Sequence, residues 1–172
     1  MPRIRDLKAQ LDDKLEQAAY KEFCRRRWPS NNGKPICPKC GHRDKFYTIH
    51  PQGRSQHGCY SCPDPACDHQ FTPTAGTIFH GNKRSYATLM MIIEMVEAEG
   101  LAPQGRGNRT GYDKSSGISA LELKRRTGTQ YKSAYVLWKK LRACNGSWFT
   151  TPPPDGAKTW KGYWQRSVGA KT

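Results

Sequence analysis

Two cysteine clusters decide how this chain folds: CPKCG at residues 37–41 and CYSCPDPAC at residues 59–67. Cys37 and Cys40, followed by Gly41, have the spacing that closes a tight knuckle on a metal ion. In such a turn the backbone N–H groups point at the sulfurs and stabilise their negative charge. A second cluster about twenty residues later completes the spacing of a four-thiolate site. Four soft ligands in a tetrahedron suit zinc, which needs no redox role. They also close the coordination sphere, so the expected ion is a single structural one; a catalytic zinc keeps a position open. The chain has 7 Cys, and an odd count without a secretory leader speaks against a disulfide framework.

The second knuckle has two readings. Cys59 and Cys62 form C-x2-C, and Cys62 and Cys67 form C-x4-C. In a strand running to Ser61, Cys59 and Tyr60 fall on opposite faces, and Cys62 sits at the strand end, where a knuckle begins. Pro63-Asp64-Pro65-Ala66 is turn chemistry, suited to a wide loop between ligands. The favoured set is therefore Cys37, Cys40, Cys62 and Cys67, with Cys59 as the alternate. His69 is a third choice, because C-x-H is cramped around one ion. His42, His50, His57 and His80 read as ordinary polar surface residues.

Working outward, Asp44 to His50 and Arg54 to Ser61 read as strands joined by a turn at Pro51-Gln52-Gly53. Phe71 is expected to cover the metal site, and residues 72–79 to run extended around Gly76. Upstream, residues 4–25 read as a helix with Ile4, Leu7, Leu11, Leu15, Ala18, Ala19 and Phe23 as its apolar stripe. Arg25, Arg26 and Arg27 suit the helix dipole or a phosphate, and Trp28-Pro29 stops the helix. Downstream, Ser85 is a plausible N-cap for a core helix over Tyr86 to Glu99, with Gly100 as its stop. Residues 101–117 are Gly-rich and basic, a linker or loop insertion in which Arg106 and Arg109 are candidate DNA contacts.

Residues 118–142 carry the second informative pattern. Ser119-Ala120-Leu121-Glu122 is a capping box for a short helix, to which Leu121 and Leu123 give apolar contacts. Gly128 makes a turn, and Thr129 is the expected cap of a further helix. That helix buries Tyr131, Ala134, Tyr135, Leu137, Trp138 and Leu141. Helix, short Gly turn, helix is the helix-turn-helix pattern. Gln130, Lys132 and Ser133 are the candidates for base edges, and Tyr131 for the backbone. Lys139, Lys140 and Arg142 are better placed for phosphates, with Lys83, Arg84 and Arg54 as further contacts.

Charge points the same way. The chain has 172 residues and a formal charge of +15, of which residues 101–172 carry +11: their only acids are Asp113, Glu122 and Asp155. A basic half of this kind fits a polyanion, and double-stranded DNA is the expected partner. The longest apolar run, Ala87 to Val96, is broken by Thr88 and Glu94, so no segment is expected to span a membrane. MPRIRDLKAQLDDK has no apolar leader core, so no signal peptide is expected, and the expected location is the cytoplasm, at the nucleoid. The expected fold class is small α+β: an N-terminal helix (1–30), a zinc ribbon of short antiparallel strands (31–84), a helix-turn-helix unit (85–144) and a basic aromatic tail (145–172). In that tail, Trp160-Lys161-Gly162-Tyr163-Trp164 suits either base stacking or docking on the protein's own body.

These residues together resemble the N-terminal region of Merlin-related bacterial insertion-sequence transposases. The matching pieces are Arg27-Trp28-Pro29, Cys37-Pro38-Lys39-Cys40-Gly41, Tyr60-Ser61-Cys62 and Cys67-Asp68-His69-Gln70-Phe71. Further on come Gly76-Thr77-Ile78-Phe79-His80, Ile118 to Leu123, and Tyr131 to Tyr135. The resemblance implies Cys62 and Cys67 as ligands and Cys59 as an extra thiol. It also implies an integrase-like catalytic domain after position 143, built on three clustered acids that hold two divalent ions. Asp113, Glu122 and Asp155 are scattered, so this chain is expected not to be an enzyme. It reads as a sequence-specific DNA-binding protein that regulates or recruits in transcription or recombination, with a transposition, phage or transcription protein as partner. The alternatives are the recognition part of a transposase whose catalytic domain lies elsewhere, and an adaptor that binds RNA polymerase or structured RNA.

Overall fold

A computed structural model describes residues 4–49, 59–101, 117–144 and 148–149, with side chains from residue 10 onward. The helix α1 spans Ile4–Arg27 and is followed by a 3-10 turn, Pro29–Asn31. The strands β1 (Tyr47–Ile49), β2 (Cys59–Ser61) and β3 (Gln70–Phe71) form one antiparallel sheet in the order β1-β2-β3. Three helices complete the fold: α2 (Tyr86–Glu99), α3 (Ala120–Thr127) and α4 (Tyr131–Ala143). None of the described helices is long and apolar enough to cross a membrane. The expected turn at residues 51–53, Arg54, Arg106, Arg109, Asp113 and the tail from residue 150 lie outside the described residues.

Two buried clusters meet on α1. Phe23 belongs to the helical core with Ile78, Phe79, Ile92, Ile93, Leu123 and Leu141. Cys24 and Trp28, one and five residues further on, belong to the ribbon core with Cys37, Cys62, Cys67 and Phe71. A helix turns by about 100° per residue, so adjacent positions serve two different cores. Pro29 ends the helix as expected, and the chain reverses through Asn32 and Gly33, both with positive φ. A Cβ on Gly33 would come within 3.3 Å of the Arg25 backbone, so glycine permits the close approach.

Among the described residues of the expected α1 stripe, Leu11, Leu15 and Ala18 are exposed, Ala19 is half-buried and Phe23 is buried. Leu11 and Leu15 are 57% and 55% exposed, whereas Phe23 is fully buried. The reason lies in α2. The Glu16 carboxylate accepts the backbone N–H groups of Tyr86 and Ala87 at 2.7 and 2.9 Å, and Arg26 donates to Glu97 at 2.9 Å. The helix α2 therefore lies parallel to residues 16–26 and leaves Leu11 and Leu15 beyond its end. Its own N-cap is Ser85, whose side chain accepts from Thr88, and it ends at Gly100, as expected. The α2 surface is less uniformly buried than its composition suggests, with Met91 37% exposed.

Residues 72–79 do not run extended. They form successive turns, with backbone bonds Ala75 N–H to Thr72, Thr77 N–H to Thr74 and His80 N–H to Thr77. The buried Thr77 hydroxyl explains the folding: it donates to the Thr74 carbonyl at 2.8 Å and accepts the Phe79 N–H at 3.1 Å. Those turns drive Ile78 and Phe79 into the helical core, where Phe149 also packs edge-on against Phe23 at 5.1 Å. Arg27 donates to the carbonyls of Phe149 and Ala75, which ties the end of α1 to these turns.

The pair α3–α4 forms where expected. Ser119 caps α3 by accepting the Glu122 N–H, and Gly128 closes it in the left-handed region at φ 64°. Thr129 is not the cap of α4. Its hydroxyl pairs with that of Thr127, and Gln130 takes the N-cap position without a side-chain bond. Ala134, Leu137, Trp138 and Leu141 are buried, but Tyr131 is 51% and Leu121 42% exposed. The buried positions span about two turns, Ala134 to Leu141, and Tyr131 stands at the helix end beyond them. The Trp138 indole N–H donates to Ile118 O at 2.9 Å, and Arg126 joins α3 to Glu99 at the end of α2.

Candidate metal centre and basic cleft

The first knuckle is held by its backbone. Cys37 N–H donates to His42 O at 2.9 Å and Gly41 N–H to Cys37 O at 3.0 Å. The second is held by Asp64, whose carbonyl accepts the N–H groups of Cys67 and Asp68 and whose carboxylate accepts that of Ala66, all at 3.0 Å. Lys39 Nζ donates to Cys67 O at 3.2 Å and joins the knuckles. The four Sγ atoms of Cys37, Cys40, Cys62 and Cys67 lie within 4.8 Å of one another. Two of the separations are 3.7 Å (Cys37–Cys67) and 3.6 Å (Cys40–Cys62). A tetrahedron with metal–sulfur bonds of about 2.3 Å has edges of about 3.8 Å, so the donor set fits zinc in size, number and chemistry.

Crowding shifts the Cys37 and Cys67 thiols in opposite directions. Burial raises the Cys37 thiol, but the Cys40 and Lys39 N–H groups and the neighbouring thiols outweigh it and bring it down to about 7. Burial, then Cys40, Cys37 and Cys62, push Cys67 up to about 12. Sulfurs this close hold four negative charges together only around a cation. Trp28, Phe46, Tyr60 and Phe71 wall the centre, with ring centroids of Phe46 and Phe71 5.5 Å apart, so Phe71 covers the site as expected. Cys59 points elsewhere: its Sγ lies 3.4 Å from Phe71 O. His69 stacks on the Phe71 ring instead of joining the sulfurs.

A second feature lies between the turn after Phe79 and α4. His80, Asn82, Lys83 and Arg84 face Thr129, Gln130, Lys132, Ser133, Val136 and Lys140 across a cleft of about 640 Å³. The lining holds four cations and no acid. Six of the predicted contacts, Lys83, Arg84, Gln130, Lys132, Ser133 and Lys140, converge here. Burial lowers the pKa of Arg84. It lowers that of Lys140 too, and the neighbouring Arg84 charge lowers Lys140 further. Arg84 Nη1 donates to Asn82 Oδ1 at 3.1 Å, and its Nε is buried with no acceptor among the described residues.

Tyr131, Lys139 and Arg142 do not line the cleft. Lys139 Nζ sits 5.0 Å over the Tyr135 ring and the Arg142 guanidinium 4.9 Å over Trp138. Asn82, Thr129 and Val136 were missed as lining residues. Period-3.6 spacing of Ser133, Val136 and Lys140 on one flank of α4 was the available signal for Val136.

The described residues 35–71 thus make a zinc ribbon, consistent with one structural zinc ion. Residues 14–70 match the family model of the transposase zinc-ribbon domain. The match covers about a third of the chain, from the middle of α1 through both knuckles into β3. Neither the curated proteins nor the solved structures gave a match.

Proposed function

We propose that this chain is a transposase-derived, sequence-specific binder of double-stranded DNA that recruits or regulates in recombination or transcription. The observation that carries the reading is the acid-free cleft, where two segments about fifty residues apart bring Lys83, Arg84, Lys132 and Lys140 together. Lys83, Arg84 and Lys140 seat backbone phosphates there. The helices α3 and α4, joined through Gly128 and Gln130, act as a helix-turn-helix, with α4 in the major groove. Gln130, Lys132 and Ser133 stand at its N-terminal end, where such helices meet base edges. The ribbon braces this unit through α1. No strand cleavage is assigned to this chain.

Selection of bound duplexes from a random pool, followed by mobility shifts, tests the reading. Lys132→Ala should alter sequence preference. Arg84→Ala should weaken all duplexes alike and lower the slope of log affinity against log salt by about 1. Binding indifferent to both sequence and salt overturns it. The family match favours a second reading, the recognition part of a transposase whose catalytic domain is on another chain. A coding region beside this one for a domain with three clustered acids supports that reading.

A further inference from the structure

The flank of α4 opposite the cleft carries a ladder of rings. At 100° per residue, Tyr131, Tyr135, Trp138 and Arg142 fall on one line, about 170° from Ser133, Val136 and Lys140. The Tyr131 and Tyr135 centroids are 6.0 Å apart at 25°, and those of Tyr135 and Trp138 are 6.0 Å apart at 22°. The inner end is closed: Trp138 is 6% exposed, with its indole N–H on Ile118 O and the Arg142 guanidinium over its ring. The outer end is open, since Tyr131 is 51% exposed. Lys139 stands over the middle ring, and α4 holds no acidic residue.

Core packing accounts for Trp138 and Tyr135 but not for Tyr131, which stands half exposed at the outer end of the ladder. A flat ring, held at a fixed tilt by the ring beneath it, with Lys139 over that second ring, offers a π face beside phosphate-binding charge. These are the two elements of a stacking platform for unpaired bases. A protein partner with an apolar docking surface would meet cations over two of the three rings.

We propose that Tyr131, supported by Tyr135 and Trp138, stacks on an unpaired base next to the duplex held by α4, so that the protein prefers a duplex with a single-stranded extension. This rests on the nucleic-acid reading of α4 but uses its other flank. The test compares a blunt duplex of the selected sequence with the same duplex bearing a short oligothymidine tail, and includes oligothymidine alone. Tyr131 is half exposed, so Tyr131→Leu keeps bulk without the π face, and Tyr131→Phe keeps the ring.

The wild type and Tyr131→Phe should bind the tailed duplex roughly five- to a hundredfold more tightly than the blunt one, the range that one base–aromatic stack supplies. Tyr131→Leu should lose that advantage, read as the ratio of tailed to blunt affinity within the same variant. Equal affinity of the wild type for both duplexes overturns the proposal, as does a tail preference that survives Tyr131→Leu. Weak duplex binding by every protein, with Tyr131-dependent binding of oligothymidine, overturns the groove reading and leaves the stacking platform standing.

Discussion

Cys59 and Cys62 are three residues apart, and the pleat gives them different roles. Tyr60 pairs with Phe71 and Thr48 in the sheet, and Cys59 pairs with Ile49 at its rim; Cys62 is the first residue past the strand and joins the sulfur cluster. Cys62→Ser should therefore release zinc, and Cys59→Ser should keep it, as metal analysis of the purified variants will tell. Alternation along the strand made this choice readable in advance. Glu22 stands three and four residues before Arg25 and Arg26 on the same helix, a spacing that lets all three meet. Hydrogen bonds from Arg25 and Arg26 hold its carboxylate down to about 2. A depressed carboxylate stabilises the fold above its unfolded pKa, and that contribution fades as pH falls from about 4.5 toward 2. The group is partly exposed, so its share is about 0.5–1 kcal/mol. Denaturant titrations at pH 6 and pH 3 should show a smaller acid-induced loss for Glu22→Gln than for the wild type.

Helix ends carry the next set of effects. Ser85 at the start of α2 was visible as a cap, but Glu16 was not, because 70 residues separate it from Tyr86. It adds a carboxylate where the α2 dipole is positive. Glu16→Ala should cost about 1–2 kcal/mol in chemical denaturation, by analogy with the loss of a buried cap. The α3–α4 turn depends on Gly128 at φ 64°, where an added Cβ meets nothing within 4 Å. Gly128→Ala is thus strained by its backbone and not by contact, at a cost of about 1 kcal/mol. If the turn aims α4, the same variant should lose DNA affinity beyond what its stability change explains, measured well below its melting temperature.

Across the whole molecule, α1 couples the zinc ribbon to the helices by sending Phe23 into one core and Cys24 and Trp28 into the other. A ribbon with three strands of two or three residues has little apolar area, so zinc supplies its folding free energy. Chelation should remove hydrogen-exchange protection from β2, β3 and the last turn of α1, while α4 keeps more of its own. It should also weaken DNA binding, since Lys83 and Arg84 leave the ribbon by the turns at Thr77. Uniform protection with and without metal would sink this division of stability.

The ligand thiols, the Ser85 and Ser119 caps and the glycine stops were legible in the amino-acid sequence because each is local: a spacing, a side chain reaching its own backbone, a residue free to take positive φ. The zinc ribbon followed from those alone. Folding in three dimensions settled which part of an apolar stripe is covered, why residues 72–79 turn, and which cations share a cleft. Those outcomes depend on where α2 stops along α1 and which flank of α4 meets the turn at Lys83. Contacts between distant segments obey packing and charge in space, which no periodicity along the chain encodes.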